Sequence, residues 1–416
     1  MLNPKTQQRE LCYVVKIDAI ESITGSDNCE AAVVGGWRIM TRKGTFQPGD
    51  LAIYFEIDSQ VPETKPFEFL KAKHYKVKTQ RYTFGGKGNF VSQGLLMTAE
   101  DFGWVSADGG IVINATGSII TNTDESRFLT KQLGVTYATA EDNVRKASSA
   151  DKYQRMAQRM GKKFSKQPYK WLMQHKFGKK ILFLFYGQKK DKCTAWPDGK
   201  FPGVRRTDQE RAENMPDCLQ DKTPYIVTQK CDGSSGTYIL EKKPFGRYEF
   251  YVCSRNVRMV NEKQECYYGE HNYYWEVANK YDIKDKMKQW LKENPKASFV
   301  CWQGEICAPG IQSNPHHLSE THFYCFHWTD SINGRRDIRN AANDWKSMDM
   351  EIVPIVDSGY ILPDDFEEFK KSADGFYNSS VCEGQDNCSR EGFVYYKTTD
   401  PAFSFKNVSR EYLLKH

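Results

Sequence analysis

Tyr225-Ile-Val-Thr-Gln-Lys230-Cys-Asp232-Gly233-Ser-Ser-Gly236 reads as a strand, a glycine-rich turn and the start of a returning strand, with a lysine where the turn begins. The glycines sit where a phosphate chain could approach the backbone closely. An amine that attacks phosphorus must be neutral, and the ordinary lysine pKa is about 10.4. Burial and a neighbouring cation are expected to lower that of Lys230, with Asp232 holding the cation. Lys-x-Asp-Gly alone is common in surface turns, so its meaning rests on the sequence around it.

Downstream, Thr237–Leu240, Phe250–Cys253 and Phe393–Tyr396 read as further strands, and Asn272–Glu293 as one long helix. Residues 196–416 are therefore expected to form an α+β domain with antiparallel sheets. Upstream, Leu51, Ile53, Phe55 and Ile57 alternate with Ala52, Tyr54, Glu56 and Asp58, the period of a half-buried strand. Gly35-Gly36 and Pro48-Gly49-Asp50 supply turns on either side of Trp37–Met40, and Gly94–Met97 adds another short strand. That spacing predicts a small β-barrel of the oligonucleotide-binding (OB) type over residues 1–120.

Residues 121–195 differ from both. Asp151–Arg159 and Tyr169–Phe177 fit helices, which makes this stretch a basic helical connector. Lys152 to Lys192 holds 13 Lys or Arg and one acid, Asp191, a local charge of +12 in a chain of net +6. Such a block suits a polyanionic partner, and equally a solvated helical face.

Composition excludes several classes. The longest markedly apolar run, Ile181–Tyr186, is far short of the roughly 20 residues a membrane helix needs. The N-terminus lacks the apolar centre of a signal peptide, so the expected location is intracellular. None of the 12 cysteines forms a Cys-x-x-Cys pair. Five residues separate Cys382 from Cys388 and Cys301 from Cys307, spacings that match no familiar zinc site, so reduced, buried thiols are expected.

Six short motifs follow one another in order: Lys230-Cys-Asp-Gly, Ser254-Arg-Asn256, Gln303-Gly-Glu305, Phe323-Tyr-Cys-Phe326, Glu391-Gly-Phe-Val394 and Ser404-Phe-Lys406. Together they resemble the nucleotidyl-transfer motifs of the covalent nucleotidyltransferases, which include ATP-dependent ligases and mRNA capping enzymes. Within that superfamily nearly the whole chain resembles the Deinococcus-type RNA ligases, in which an OB-like domain precedes the catalytic domain. Gly35-Gly-Trp37, Tyr54-Phe-Glu56, Val91-Ser-Gln-Gly94, Arg206-Thr-Asp208, Glu210-Arg211, Asn214, Gln303–Gln312 and Tyr412–Lys415 carry this closer likeness.

The resemblance implies an ATP-grasp-like ligase domain in which Lys230 takes AMP from ATP. Glu305 and Glu391 would serve the ribose and, with Asp232, a magnesium or manganese ion. Gly233, Gly392, Arg255 and Asn256 would border the nucleotide or the RNA end. Phe326 would stack on adenine, with Phe323 and Tyr324 as alternatives. Lys406 would neutralise the α-phosphate, helped by Lys397, because the Lys-x-Lys usual at the last motif is Ser404-Phe-Lys406 here. His327 replaces the usual Asp after Phe326.

The implied substrates are ATP and RNA, or a nicked duplex whose 3′-hydroxyl strand is RNA. DNA ligases and capping enzymes usually continue into a C-terminal OB domain, whereas only ten residues follow Lys406, which favours RNA ligase. A DNA ligase, a guanylyltransferase and a noncatalytic RNA-binding protein stand as alternatives. Oligomeric state is not legible.

Overall fold

A computed structural model describes residues 1–6, 8–86, 88–107, 111–137, 166, 169–175, 178, 182, 194–206, 208–260, 262, 271–377, 379–383 and 387–415. The first part is an all-β unit. Strands β1 (Cys12–Lys16), β2 (Ala19–Ser22), β3 (Cys29–Val34), β4 (Trp37–Arg42), β5 (Leu51–Phe55) and β6 (Leu95–Met97) form two three-stranded sheets, ordered β1-β5-β6 and β2-β3-β4. β5 is not the half-buried strand expected. Ile53 and Phe55 face one apolar cluster and Ala52 and Tyr54 a second, so the strand is covered on both sides. The unit's core also runs past residue 120, since Leu129 and Val135 pack into it and Thr136–Tyr137 pairs with Ser59–Gln60.

Between the two larger units, Tyr169–Gln174 forms helix α1. The other expected helix, Asp151–Arg159, and most of the basic block lie outside the described residues.

Two antiparallel-rich sheets build the second part. One contains β7 (Tyr225–Gln229), β12 (Ile355–Tyr360), β13 (Gly392–Lys397) and β14 (Asp400–Val408), in the order Glu210–Arg211, β14, β13, β7, β12. The other centres on β8 (Ser234–Lys242), β9 (Tyr248–Cys253), β10 (Phe299–Cys307) and β11 (His322–Asp330), in the order β9-β8-β10-β11. Consecutive strands β7 and β8 belong to different sheets, so the turn carrying Lys230 spans from one sheet to the other.

The single helix expected over Asn272–Glu293 is two helices, α2 (Tyr273–Lys280) and α3 (Ile283–Glu293). Asp282 breaks them by adopting φ 48°, a left-handed conformation that aspartate tolerates better than most residues. The break places the Tyr281 hydroxyl against Glu351 and the Phe323 amide. Helices α4 (Ile338–Ser347), α5 (Phe366–Ser372) and α6 (Arg410–Lys415) were not anticipated.

The two units are joined by polar contacts. Arg9 binds Asp208 through Nε and Nη2 at 3.0 and 3.1 Å and Glu56 through Nη1 at 2.9 Å. Asn214 donates to Glu56 at 3.0 Å and accepts from the Trp37 indole at 2.6 Å. The Gly36 amide donates to the Glu213 carbonyl at 2.7 Å. Many residues that carried the closer resemblance are thus interface residues.

Candidate active site

The Lys230 turn is held from several directions. The Lys230 amide donates to the Gly392 carbonyl at 3.0 Å, which ties the turn to the head of β13. Tyr377 donates its hydroxyl to the Lys230 carbonyl at 3.0 Å. His316 lies against Tyr377, ring centroids 4.4 Å apart, and accepts from the Asp232 amide at 3.1 Å. Gly233 is required where the turn enters β8, because a Cβ there would stand 2.4 Å from the Ile306 carbonyl oxygen. Gly392 has φ 145°, and a Cβ on it would stand 2.1 Å from the Asn407 carbonyl oxygen.

Above this turn lies a cavity of about 680 Å³, within the range of small-ligand sites. Lys230, Asp232, Gly233, Arg255, Glu305, Phe326, Glu391 and Lys406 all line it. Six segments of the chain deliver these residues, so widely spaced motifs converge. Phe326 alternates with Cys325 on β11 and so faces the cavity, whereas Phe323 is fully buried beneath the sheet with Tyr238. Tyr324 is also buried and stacks on His322.

Three of the expected binding residues stand elsewhere. Lys397 pairs with Asp221 at 2.6 Å, at the far end of β13, because the strand carries it away from the turn. Asn256 receives Arg206 at 3.5 Å and does not line the cavity. Gly392 contributes its carbonyl to the turn and does not border the cavity.

Electrostatics in the pocket run opposite to the simple expectation for the lysine. Lys230 Nζ donates to Glu391 at 2.7 Å. Burial pulls its pKa down, but Glu391, Glu305 and Asp232 more than offset this and hold it above the ordinary lysine value. These carboxylates favour the charged amine, opposite to the lowered pKa expected from the sequence. Glu305 is pushed up to about 8 by burial, eased by Lys230 and reinforced by Glu391 and Asp232. Burial likewise raises Glu391 and Asp232. Crowding and burial thus push all three carboxyls toward their protonated forms.

Lys406 shows the reverse. Burial, with Arg9, Arg211 and Lys230, draws it down to about 7 against the pull of Asp208. Asp208 collects three cations, Arg9, Arg255 and Lys406, and is held well below the usual carboxylate range because they outweigh its burial.

The resemblance implied a divalent cation on Asp232, Glu305 and Glu391. Among the described residues no three acidic, histidine or cysteine side chains converge into a metal cage. Asp232 is bonded to the Tyr412 hydroxyl and Glu391 to Lys230, while the Glu305 carboxylate has no hydrogen-bond partner among the described residues. A hard cation that takes one or two carboxylates, keeps water and shares substrate phosphates fits this donor set.

Sequence reasoning missed the residues that arrange the site, namely Asp208, His316, Tyr377 and Tyr412 as an anchor. Asp208 had one local signal, an acid beside Arg206 in a quoted motif.

Residues 223–411 match the RNA ligase family and residues 11–98 match an OB-fold domain. In chain order the OB-fold match precedes the RNA ligase match. Three structures of the Naegleria gruberi RNA ligase are similar over 98% of this chain and 99% of theirs. A mutant with ATP and manganese has a TM-score of 0.68 at 22% identity. The enzyme with pyrophosphate has 0.66 at 23%, and a mutant with AMP and manganese 0.65 at 22%. No curated protein sequence matches the chain. Among the described residues, no helix is long and apolar enough to cross a membrane.

Proposed function

We propose that the chain is an ATP-dependent RNA ligase that joins 5′-phosphate to 3′-hydroxyl ends through AMP carried on Lys230. The observation that carries this reading is the convergence of Lys230, Glu305, Glu391, Arg255, Phe326 and Lys406 on one cavity. The ATP, AMP and manganese in the Naegleria gruberi structures support the same choice of nucleotide and metal.

The pocket's own residues supply a route to a neutral nucleophile. Carboxylates hold Lys230 protonated, so their engagement by the nucleotide's hydroxyls leaves burial dominant, which favours the neutral amine. Lys230 Nζ then attacks the α-phosphorus, a P–N bond forms and the P–O bond to pyrophosphate breaks. Arg255 and Lys406 face the charge that develops on the α-phosphate. Next an oxygen of the RNA 5′-phosphate takes the AMP, breaking the P–N bond and releasing the amine. Finally the 3′-hydroxyl attacks the 5′-phosphate and AMP departs. Glu305 and Glu391 would hold magnesium or manganese, which supplies charge neutralisation at each displacement.

The order of the OB-fold and ligase domains supports placement in the Deinococcus-type branch. The substrate favoured by that placement is a nicked duplex with an RNA 3′-hydroxyl strand, read through a 2′-hydroxyl contact, in an intracellular setting. The test is sealing of matched nicks. Rapid joining when the 3′ strand ends in RNA and slow joining when it ends in DNA is expected; equal rates would refute RNA selectivity, and sealing of neither would refute ligation.

A further inference from the structure

The Lys230 cavity does not end at the ligase domain. Lys76, Lys78 and Thr79 of the OB-fold unit line it and also line a second hollow of about 820 Å³, so the two adjoin along these residues. The second hollow runs between the OB-fold unit and α6. Five cations, Lys73, Lys76, Lys78, Arg81 and Lys415, border it against one acid, Glu411. Arg81 and Glu411 pair at 2.5 Å across the two units, which leaves a net charge of +4.

The chain is built to present these side chains on one wall. A 3₁₀ helix over Lys65–Lys73 ends at His74 and Tyr75, both left-handed at φ 51° and 57°. The turn reverses the backbone into the bridge of Lys76 with Gln60 and the strand Gln80–Thr83, so Lys73, Lys76, Lys78 and Arg81 share the groove. On the opposite wall, α6 carries Lys415 and also Tyr412, which is bonded to Asp232.

We propose that this groove seats the polynucleotide strand that bears the 5′-phosphate, its backbone phosphates lying on Lys73, Lys76, Lys78, Arg81 and Lys415 and its end reaching the Lys230 cavity. The inference rests on the ligase reading and assigns the strand's path. A line of cations leading into a nucleotide pocket matches an anionic polymer, because each phosphate contact releases condensed counterions. A small anion would occupy one such position and have no use for the rest.

The test compares the wild-type chain with a Lys73→Ala/Arg81→Ala/Lys415→Ala variant, all three residues lying outside the Lys230 cavity. Binding of a fluorescent 5′-phosphorylated RNA oligonucleotide is measured across a salt series, and self-labelling from α-labelled ATP in parallel. The variant is expected to bind about tenfold more weakly, with a log–log salt slope shallower by about 2, at roughly 0.7 per lost contact. Its self-labelling should be unchanged. Glu411→Gln, which frees Arg81, should bind RNA more tightly, an outcome that misfolding cannot mimic. Unchanged RNA affinity in the triple variant, or self-labelling that falls in step with it, would overturn the assignment. Failure of the wild-type chain to label itself, with RNA binding still charge-dependent, would instead remove the ligase reading and leave the groove.

Discussion

Lys406 Nζ donates to Asp208 Oδ1 at 3.0 Å, and the same carboxylate binds Arg9 of the OB-fold unit and Arg255 of the cavity wall. One acid thus orients two candidate phosphate ligands and fastens the neighbouring domain. Lys406, held near 7, loses its charge as pH rises through neutrality, whereas the arginines keep theirs. An alkaline limb near pH 7 is therefore expected in kcat/KM for self-adenylylation. Asp208 favours charged Lys406, so Asp208→Asn should move that limb to lower pH and cost about 100-fold in rate. Lys406→Arg should abolish the limb. A limb unmoved in both variants would exclude Lys406 as its source.

Glu391 is the closest of the carboxylates that keep Lys230 protonated. Glu391→Gln should lower the Lys230 pKa while destroying nucleotidyl transfer. At pH 8 an amine-reactive probe is expected to modify Lys230 about tenfold faster in the variant, since a fall of one pKa unit raises the neutral fraction about tenfold. The check is peptide mapping after brief labelling. Equal or slower modification would show that Glu391 does not control the amine.

Phe326 and Phe323 separate stacking from packing. Phe326→Ala is expected to weaken ATP binding about tenfold, the scale of one lost base–aromatic stack, with little change in stability. Phe323→Ala should cost about 3–5 kcal/mol of stability, as for other buried phenylalanines. Calorimetric titration and urea melts distinguish them. Intact ATP affinity in Phe326→Ala would remove it as the adenine platform.

His316 is pushed down to about 4 by burial, so the fold holds it neutral where an unfolded chain would protonate it. The unfolded state binds the extra proton between about 4 and the ordinary value of about 6.5. His316 therefore opposes folding as pH falls through that window and adds no such penalty above it. The drop in Tm from pH 6.5 to 4.5 should be smaller in His316→Gln than in the wild type. Because His316 braces the Asp232 amide, the variant should also slow adenylylation at pH 8, where both forms are uncharged. An identical pH response would show that the imidazole is not the titrating group.

The candidate side chains were legible as a set because the proposed reaction would dictate their type and order: a lysine at a turn, two glutamates, a late lysine. Lys230, Glu305, Glu391 and Lys406 converge in the structure as their motifs implied. What holds them was not legible. Asp208 acts on Arg9, 199 residues away in sequence, and Tyr412 on Asp232, 180 residues away. No local pattern encodes such pairings. The strand alternation at Leu51–Phe55 located β5 but not its burial on both faces, because a second apolar cluster covers Ala52 and Tyr54. Asn272–Glu293 keeps helical periodicity through Asp282, and periodicity does not reveal the left-handed backbone there. Lys397 is expected at the site because the last motif lacks its usual second lysine, yet it sits opposite Tyr225 at the other end of β13.

The most direct measurement is incubation of the full chain with α-labelled ATP and manganese, followed by acid and alkali treatment and mapping of the labelled peptide. AMP should appear on Lys230 alone, as an acid-labile, alkali-stable phosphoramidate that is discharged on adding 5′-phosphorylated RNA, with no label on Lys230→Ala. An unlabelled wild-type chain, or label that persists on Lys230→Ala, would contradict covalent catalysis by this lysine.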